Sequence, residues 1–266
     1  MTKPPFSENV VLITGASSGI GEHLALRLAE QGAWLALAAR NAGQLEEVAA
    51  QCRQRGGKAV AIPTDVAEQA QCKSLIERTA AEYGRIDTLI NNAGITLASS
   101  FKKLQDLTIF EKVVQVNFFG SVYCTFYALP FLKETRGRLA AISSLRGKIP
   151  SSRADGYGAS KHAMAEFFES IRMELEGSGV SVTIIYPSWV STGISSRSLR
   201  RDGSPTGKIS RLEIGAMPVE TCARIIVEAV AKRKREVVMT MQGKLALWLM
   251  LLAPKIAEQF IRKNMG

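Results

Sequence analysis

Residues 10–21 read VVLITGASSGIG, and this stretch decides the fold. Its first four residues form a short apolar run, which is typical of a strand buried on both faces. Three glycines follow, where a chain turning from a strand into a helix needs residues without a Cβ. The N-terminus of that helix would present free N–H groups and a partial positive charge to a pyrophosphate. We therefore predict a dinucleotide contact formed by Gly15, Ser17, Ser18, Gly19, Ile20 and Gly21. The spacing G-x-x-x-G-x-G differs from the general G-x-G-x-x-G fingerprint, so a glycine-rich turn without a ligand is the alternative.

Apolar runs and helical patterns alternate along the rest of the chain. Strand-like runs fall at 34–39, 59–62, 86–90, 138–142, 180–186 and 237–239. The helical pattern from about 107 to 132 is long, and residues 191–217 are typical of an irregular loop. This alternation predicts an α/β fold, a single-domain Rossmann-like doubly wound parallel sheet of about seven strands. We expect residues 1–240 to form the dinucleotide-binding and catalytic domain, and 241–266 to add a C-terminal apolar helical extension to it.

Composition and charge narrow the functional classes. The 266 residues are 46% hydrophobic, which is enough for one sizeable core. The net charge of +10 would suit nucleic acid, an anionic membrane or a phosphorylated ligand. Because zinc-finger spacing, a basic heptad region and aromatic–basic interleaving are missing, we expect no nucleic-acid partner. The four cysteines and two histidines lack metal-ligand spacing, so we expect no metal site and a reducing compartment. The polar N-terminus and the lack of a membrane-spanning apolar run lead us to expect a cytoplasmic protein.

The second strand ends in the sequence Ala-Ala-Arg-Asn, residues 38–41. In dinucleotide-binding folds an acidic residue here binds the ribose 2′-hydroxyl and selects NAD, whereas an arginine accommodates a 2′-phosphate. The next carboxylate is Glu46. Arg40 would pair with the phosphate and Asn41 would add a hydrogen bond, so we predict a preference for NADP(H) over NAD(H). The alternative is a solvated arginine at the end of a strand.

Tyr157 and Lys161 are four residues apart, which places them on one face of a helix. An unperturbed tyrosine has a pKa of about 10 and exchanges protons poorly near neutral pH. An ammonium group beside it would stabilise the phenolate and lower that pKa. The pair is therefore a candidate for proton transfer with a substrate oxygen. Alone, however, the spacing also fits an ordinary surface helix.

Several motifs together resemble those of the short-chain dehydrogenase/reductase family. The resemblance covers about residues 8–240, and both the order and the intervals fit: Ser144 lies 13 residues before Tyr157, and Asn117 lies 40 before it. The matching residues are Thr14 to Gly21, Asn91 to Gly94, Asn117, Ser144, Tyr157, Lys161 and Pro187.

The resemblance implies a role for each matching position. Tyr157 would be the general acid in reduction and the base in oxidation, and Lys161 would lower its pKa and hold the nicotinamide ribose. Ser144 would donate a hydrogen bond to the substrate oxygen. Asn117 would hold a water that links Lys161 to solvent. The remaining cofactor contacts implied in this way are Asp65, Val66, Asn92, Ala93, Gly94, Pro187, Val190 and Thr192.

Two features of the chain concern the substrate. The family commonly has Pro-Gly after the sixth strand, whereas this chain has Pro187-Ser188, which narrows the space near the nicotinamide. The C-terminal segment carries nine apolar residues, 245–253, with basic residues at 244, 255, 262 and 263. Residues 244–263 are too short to span a bilayer but could make peripheral membrane contact. A subunit interface and a lid over the substrate cleft are the alternatives.

We therefore expect an NADP(H)-dependent oxidoreductase that interconverts a secondary alcohol and a ketone or aldehyde. A hydrophobic, lipid- or steroid-like substrate fits the apolar tail. A 3-oxoacyl-[acyl-carrier-protein] reductase is the rival within the family, since its acidic partner would suit the positive charge. A non-catalytic NADP-binding sensor or scaffold is the rival of another class, although such proteins usually lose the tyrosine or the lysine. The resemblance also implies a homodimer or homotetramer.

Overall fold

A computed structural model describes residues 3–150 and 155–264 of the chain. Seven parallel strands form one sheet in the order β3-β2-β1-β4-β5-β6-β9, and β7 and β8 form a separate short parallel pair. The strands are β1 (Val10–Thr14), β2 (Trp34–Ala39), β3 (Lys58–Pro63), β4 (Thr88–Asn91), β5 (Arg138–Ile142), β6 (Ser181–Tyr186), β7 (Val190–Ser191), β8 (Met217–Pro218) and β9 (Glu236–Val238). The predicted doubly wound parallel sheet is therefore confirmed.

Nine α-helices occur within the described residues, and they cover both faces of the sheet. They are α1 (Gly19–Ala29), α2 (Ala42–Gln54), α3 (Gln69–Tyr83), α4 (Thr108–Val114), α5 (Gly120–Glu134), α6 (Asp155–Glu174), α7 (Val219–Ala231), α8 (Met241–Leu252) and α9 (Pro254–Asn264). Successive residues of a strand face opposite sides. Accordingly, Val11 and Ile13 pack in one apolar layer with α1, α2 and α7, and Leu12 packs in the other with α3, α5 and α6.

The helical region predicted from about 107 to 132 is present, but it changes its winding around Asn117. A π turn, Gln115–Phe119, separates α4 from α5. The Asn117 side chain is fully buried and bonds both to the Ile95 backbone and to Ser160. A π turn adds only one residue to a helix and is often found at functional sites. The apolar periodicity hardly changes, so the sequence did not reveal it.

Residues 192–216 connect β7 to β8 and lie beside the segment that follows β4. Leu199 forms a bridge with Leu97, and its N–H donates to the Thr96 carbonyl at 2.8 Å. The prediction of an irregular loop in this region is confirmed, because turns and isolated bridges make up the segment.

The C-terminal helix α8 packs on the body of the protein through one side. Ala246 of α8 is buried against Leu145 and Ile149, while Leu245 and Trp248 are 62% and 63% exposed. Among the residues that the structure describes, no helix combines the length and apolarity needed to cross a bilayer.

Candidate active site

The predicted site residues meet at the carboxyl edge of the sheet, because neighbouring parallel strands end there together. The glycine turn follows β1, Asn92 follows β4, Ser144 lies just beyond β5, and Pro187 follows β6. The Pro187 carbonyl accepts a hydrogen bond of 2.8 Å from the Leu145 N–H, which links the ends of β5 and β6. Four motifs that are far apart in the sequence thus line one edge.

The glycine turn is too tightly packed for larger residues. Gly15 has a φ of +66°, and a Cβ on Gly21 would lie 2.1 Å from the Gly15 carbonyl oxygen. Ser18 occupies the N-cap position of α1, yet its side chain makes no capping hydrogen bond. Since the first N–H groups of a helix have no partner within the helix, this end of α1 can bind a phosphate.

Asn92 braces the turn from the next strand. Its Nδ2 donates to the carbonyls of Thr14 at 2.9 Å and Gly15 at 3.0 Å. The Thr14 hydroxyl accepts in return from the N–H groups of Asn92 at 3.0 Å and Ala93 at 3.1 Å. The amide of Asn92 therefore shapes the cleft through the turn.

Ser144 and Tyr157 are brought together by the short 3-10 turn Leu145–Gly147 and by α6. Ser144 begins the turn, and its Oγ accepts from the Arg146 N–H at 3.2 Å. Burial raises the pKa of the Tyr157 phenol, while a hydrogen bond from Ser144 and the positive charge of Arg146 partly offset that effect. The hydroxyl pair expected from the sequence is therefore assembled in the fold.

Lys161 lies one turn along α6 from Tyr157 and is only 3% exposed. Its Nζ donates to the Ile142 carbonyl at 2.7 Å and lies 6.0 Å from the centre of the Tyr157 ring. Burial lowers its pKa from 10.5 to about 8, because the charged form loses hydration. An amine that titrates this close to neutral pH can exchange a proton under working conditions.

Asn117 and Gly94 lie next to the lysine. The Oδ1 of Asn117 accepts from the Ile95 N–H at 2.8 Å, and its Nδ2 donates to the Ile95 carbonyl and the Ser160 hydroxyl, each at 2.9 Å. A Cβ on Gly94 would lie 3.3 Å from the Asn117 Oδ1 and 3.5 Å from the Lys161 Nζ. The side chain of Asn117 is thus engaged in bonds within the protein, which fix the π turn beside the lysine.

Arg146 is a site residue that the sequence reading missed. Its guanidinium lies 5.6 Å from the centre of the Trp189 ring, and its charge lowers the pKa of Tyr157. Burial lowers the pKa of Arg146 itself, and the nearby Tyr157 partly restores it. Its position two residues after Ser144 could have suggested that it lies near the site, but the direction of its side chain depends on the 3-10 turn.

The end of β2 carries the candidate selectivity residues. Arg40 is exposed and makes no ion pair within the described parts of the chain, whereas Arg53 and Arg55, at the other end of α2, pair with glutamates. Asn41 caps α2, its Oδ1 accepting from Gln44 N–H at 3.1 Å. After β3, one carboxylate oxygen of Asp65 accepts from the Ala67 N–H at 3.1 Å, and the adjacent Val66 is buried.

Thr192 faces the glycine turn from the loop after β7. A Cβ on Gly19 would lie 3.2 Å from the Thr192 Cβ, so these two predicted contacts are adjacent. Val190 is buried in the core, so only its backbone is available to a ligand. Glu213, which the sequence reading also missed, is 3% exposed and accepts a hydrogen bond of 2.8 Å from the Thr192 N–H.

An apolar wall flanks Tyr157. Its ring packs against a cluster formed by buried Leu97, Ile109 and Val113, with partly buried Ile95, Leu104 and Leu199 around them. An open pocket of about 420 Å³ borders this wall at Ile109 and Leu199. Because none of Ser144, Tyr157 and Lys161 lines that pocket, we assign the reaction to the sheet edge and not to the pocket.

A comparison with protein-family models tests the family resemblance that was inferred from the sequence. The family model "short chain dehydrogenase" matches residues 9–202, which contain the glycine turn, Asn117, Ser144, Tyr157 and Lys161. The chain belongs to the short-chain dehydrogenase family. Membership of this family places the protein among the oxidoreductases. The family resemblance inferred from the sequence motifs is therefore confirmed.

Named short-chain dehydrogenases match nearly the whole chain. The 11-beta-hydroxysteroid dehydrogenase 1A of Arabidopsis thaliana is 38% identical over 264 residues, covering 95% of this chain and 75% of its own length. The 11-beta-hydroxysteroid dehydrogenase A of Sesamum indicum is 34% identical over 267 residues, covering 97% and 76% respectively. A crystal structure of a short chain dehydrogenase/reductase from Burkholderia phymatum in complex with NAD matches with a TM-score of 0.85 at 23% identity. That alignment covers 96% of both chains and shows that the fold is shared.

Proposed function

We propose that this short-chain dehydrogenase is an NADP(H)-dependent enzyme that interconverts a secondary alcohol and a ketone or aldehyde. The observation that carries the proposal is the placement of Ser144 beside Tyr157 at the start of the 3-10 turn, with the buried amine of Lys161 one helical turn away. A hydroxyl donor, a phenol and an amine that titrates near neutrality are the groups needed to protonate a developing alkoxide.

The residues of the site act either on the substrate oxygen or on the Tyr157 phenol that bonds to that oxygen. Tyr157 gives its proton to the carbonyl oxygen in reduction and takes it back in oxidation. Ser144 hydrogen-bonds the same oxygen as negative charge develops there. The positive charges of Lys161 and Arg146 stabilise the phenolate that remains. Asn117 positions this group by fixing the π turn, and water reaching Lys161 restores the proton.

The cleft at the sheet edge fits a dinucleotide. The uncapped start of α1 and the Gly15, Gly19 and Gly21 backbone would hold the pyrophosphate, with Asp65 beside the adenine and Thr192 beside the nicotinamide. When bound, this cofactor supplies or accepts the hydride. The protein would align the carbonyl carbon of the substrate with the cofactor, while Tyr157 and Ser144 hold the carbonyl oxygen.

Arg40 supports a preference for NADP(H), because an exposed guanidinium that has no ion-pair partner among the residues the structure describes suits a phosphate dianion. We expect Arg40→Ala to lower the ratio of kcat/KM for NADPH over NADH by about tenfold or more, chiefly through KM for NADPH. Arg27→Ala, which removes an arginine from α1, is the matched control and should leave the ratio unchanged. Equal rates with both cofactors in the unchanged protein would contradict the proposal.

The wall beside Tyr157 and the relatives support a hydrophobic, steroid- or lipid-like substrate. Leucine, isoleucine and valine side chains adjoin the phenol, and the named relatives are hydroxysteroid dehydrogenases. A panel of ketosteroids, long-chain ketones, acetoacetyl thioesters and small sugars, each with NADPH and NADH, tests this. Turnover confined to thioesters would favour the carrier-protein reductase, and turnover confined to sugars would refute a hydrophobic substrate. Cofactor binding without turnover of any carbonyl would favour the sensor.

We propose a homodimer or homotetramer in which the outer faces of α5 and α6 meet a second copy. Phe126 of α5 and Met173 of α6 are 70% and 67% exposed, which is unusual for large apolar side chains on a charged protein. Sedimentation velocity would measure the assembly. Phe126→Glu should shift it towards the monomer, whereas a monomeric unchanged protein would refute this proposal.

We further propose that the protein is cytoplasmic and that α8, as part of the same domain, makes a peripheral contact with anionic lipid. Met241, Leu245, Trp248 and Leu252 lie on one face of the helix and are 62% to 78% exposed, and Lys244 and Lys255 are exposed beside them. Trp248 fluorescence should shift to the blue with phosphatidylserine vesicles and less with phosphatidylcholine alone. Leu252→Glu should abolish that shift and Leu107→Glu should not. If α8 instead mediates self-association, the Trp248 emission spectrum will change with protein concentration and not with added lipid.

A further inference from the structure

Glu213 is a buried carboxylate surrounded by hydrogen-bond donors. It is 3% exposed, and within the described residues no lysine or arginine forms an ion pair with it. A buried charge is costly unless other groups compensate it. Burial raises the pKa of this carboxyl group, but hydrogen bonds from Ser195, Thr192 and Gly193 more than offset burial and hold the pKa below its usual value. The folded protein therefore favours the charged form of the Glu213 carboxyl group.

The donors come from one short segment, residues 192–195. Oε1 of Glu213 accepts from the N–H groups of Thr192, at 2.8 Å, and Gly193. Oε2 accepts from the N–H of Ser195, at 3.3 Å, and from the Ser195 hydroxyl. Gly193 has a φ of +69°, which lets successive N–H groups converge on one anion. The carboxylate therefore fixes the conformation of this segment from a point some twenty residues along the chain.

The segment that Glu213 holds is also the one that faces the glycine turn. The Cβ of Thr192 lies 3.2 Å from the position of a Cβ on Gly19. The Ser191 hydroxyl donates to the Glu213 carbonyl at 3.0 Å, and β7 pairs with β8 on either side of the loop. If the carboxylate were lost, the N–H groups of residues 192–195 would be left without their acceptor, and Thr192 would no longer be held against the turn.

We propose that Glu213 is a positioning residue for the dinucleotide, because it holds residues 192–195 in the conformation that places Thr192 over the glycine turn. The proposal rests on the proposed function insofar as Thr192 and the glycine turn are the cofactor contacts. The role of Glu213 in ordering the loop can be measured without any cofactor, so the two proposals can fail separately.

The first measurement is limited trypsin digestion of the cofactor-free protein. The loop carries exposed basic residues, Arg197, Arg200, Arg201, Lys208 and Arg211, which become cleavage sites when residues 192–195 are released. We expect Glu213→Gln, which keeps the side-chain length but removes the charge, to speed cleavage at these sites at least fivefold. Asp202→Asn is the matched control, since Asp202 is an exposed acid of the same loop whose carboxylate accepts hydrogen bonds from Ser204. It should leave the cleavage rate at Arg197 unchanged.

The second measurement is the dissociation constant of NADPH, followed by nicotinamide fluorescence. We expect Glu213→Gln to raise Kd at least tenfold and to raise KM for NADPH more than it lowers kcat, while Glu213→Asp recovers part of the affinity. Ser195→Ala removes one donor from the carboxylate and should give a smaller change in the same direction, which keeps the test open should Glu213→Gln unfold.

The outcomes separate the possibilities. Faster cleavage with weaker NADPH binding supports the proposal. Faster cleavage with unchanged NADPH affinity overturns the positioning role, and so does tighter binding, which would make the carboxylate a competitor of the cofactor. Unchanged cleavage and unchanged affinity in folded Glu213→Gln also overturn it. If the unchanged protein binds neither NADPH nor NADH, the proposed function fails, whereas the cleavage experiment still tests whether Glu213 holds the loop.

Discussion

The buried amine of Lys161 predicts an unusual dependence of stability on pH. Its pKa falls from 10.5 in the unfolded chain to about 8 in the fold, where the side chain is 3% exposed. Below pH 8 the protein must keep a poorly hydrated ammonium, which costs about 3 kcal/mol at 1.36 kcal/mol per pKa unit. Between pH 8 and pH 10.5 the unfolded chain binds more protons than the folded one, so the contribution of this group to stability rises with pH. From pH 7 to pH 10 the gain is about 2.5 kcal/mol.

Urea unfolding of cofactor-free protein at pH 7, 8, 9 and 10 measures this gain. Lys161→Met removes the titrating group, so the stability of the unchanged protein relative to this variant should rise by about 2.5 kcal/mol across the series. Comparison with a variant cancels the opposing effects of buried cysteines and tyrosines, whose raised pKa values lower stability as pH rises. Lys133→Met, at an exposed position on α5, should show no such trend. A constant difference for Lys161→Met would refute the reasoning.

Three further predictions concern the reaction and the turn. Tyr157→Phe should lower kcat for carbonyl reduction by about 10²–10⁴-fold, since it removes the proton donor, with NADPH affinity kept within a few fold by fluorescence titration. Ser144→Ala should lower kcat by about 10²-fold with KM changed little, in steady-state assays, because its hydrogen bond strengthens as charge develops. Gly21→Ala should destabilise the fold by about 3 kcal/mol in urea unfolding and weaken NADPH binding, since its Cβ would lie 2.1 Å from a backbone oxygen. Gly43→Ala in the first turn of α2, where the nearest atom is 3.7 Å away, should be neutral or stabilising; equal losses for the two glycines would contradict the packing argument.

The sheet and the motifs could be predicted because they depend on local patterns. Each strand is an apolar run, each turn carries its own glycine or polar signal, and parallel connections bring the carboxyl ends together. The stretch from Val10 to Gly21 shows this, since its buried strand and tight turn lie where they were predicted. Ser144, Tyr157 and Lys161 could be named because the motifs resemble those of the short-chain dehydrogenase/reductase family, and that resemblance implies a role for each position.

What the sequence concealed depends on contacts between distant residues. The Asn117 side chain in the π turn accepts a hydrogen bond from a backbone N–H 22 residues earlier in the chain. The Glu213 carboxylate likewise accepts hydrogen bonds from N–H groups about 20 residues away. Arg146 reaches the phenol only because a 3-10 turn directs it there. The amide of Asn92 braces the glycine turn from the end of the neighbouring strand. No periodicity carries such information.

The most direct test of the account follows a labelled hydride. NADPH carrying deuterium at both hydrogen positions of nicotinamide C4 is incubated with a ketosteroid that the enzyme reduces, and the alcohol product is examined by mass spectrometry and NMR. The account predicts one deuterium on the carbinol carbon of the product, and almost no labelled product with Tyr157→Phe. Unlabelled alcohol, or undiminished label transfer by Tyr157→Phe, would contradict the assignment of hydride transfer to this site.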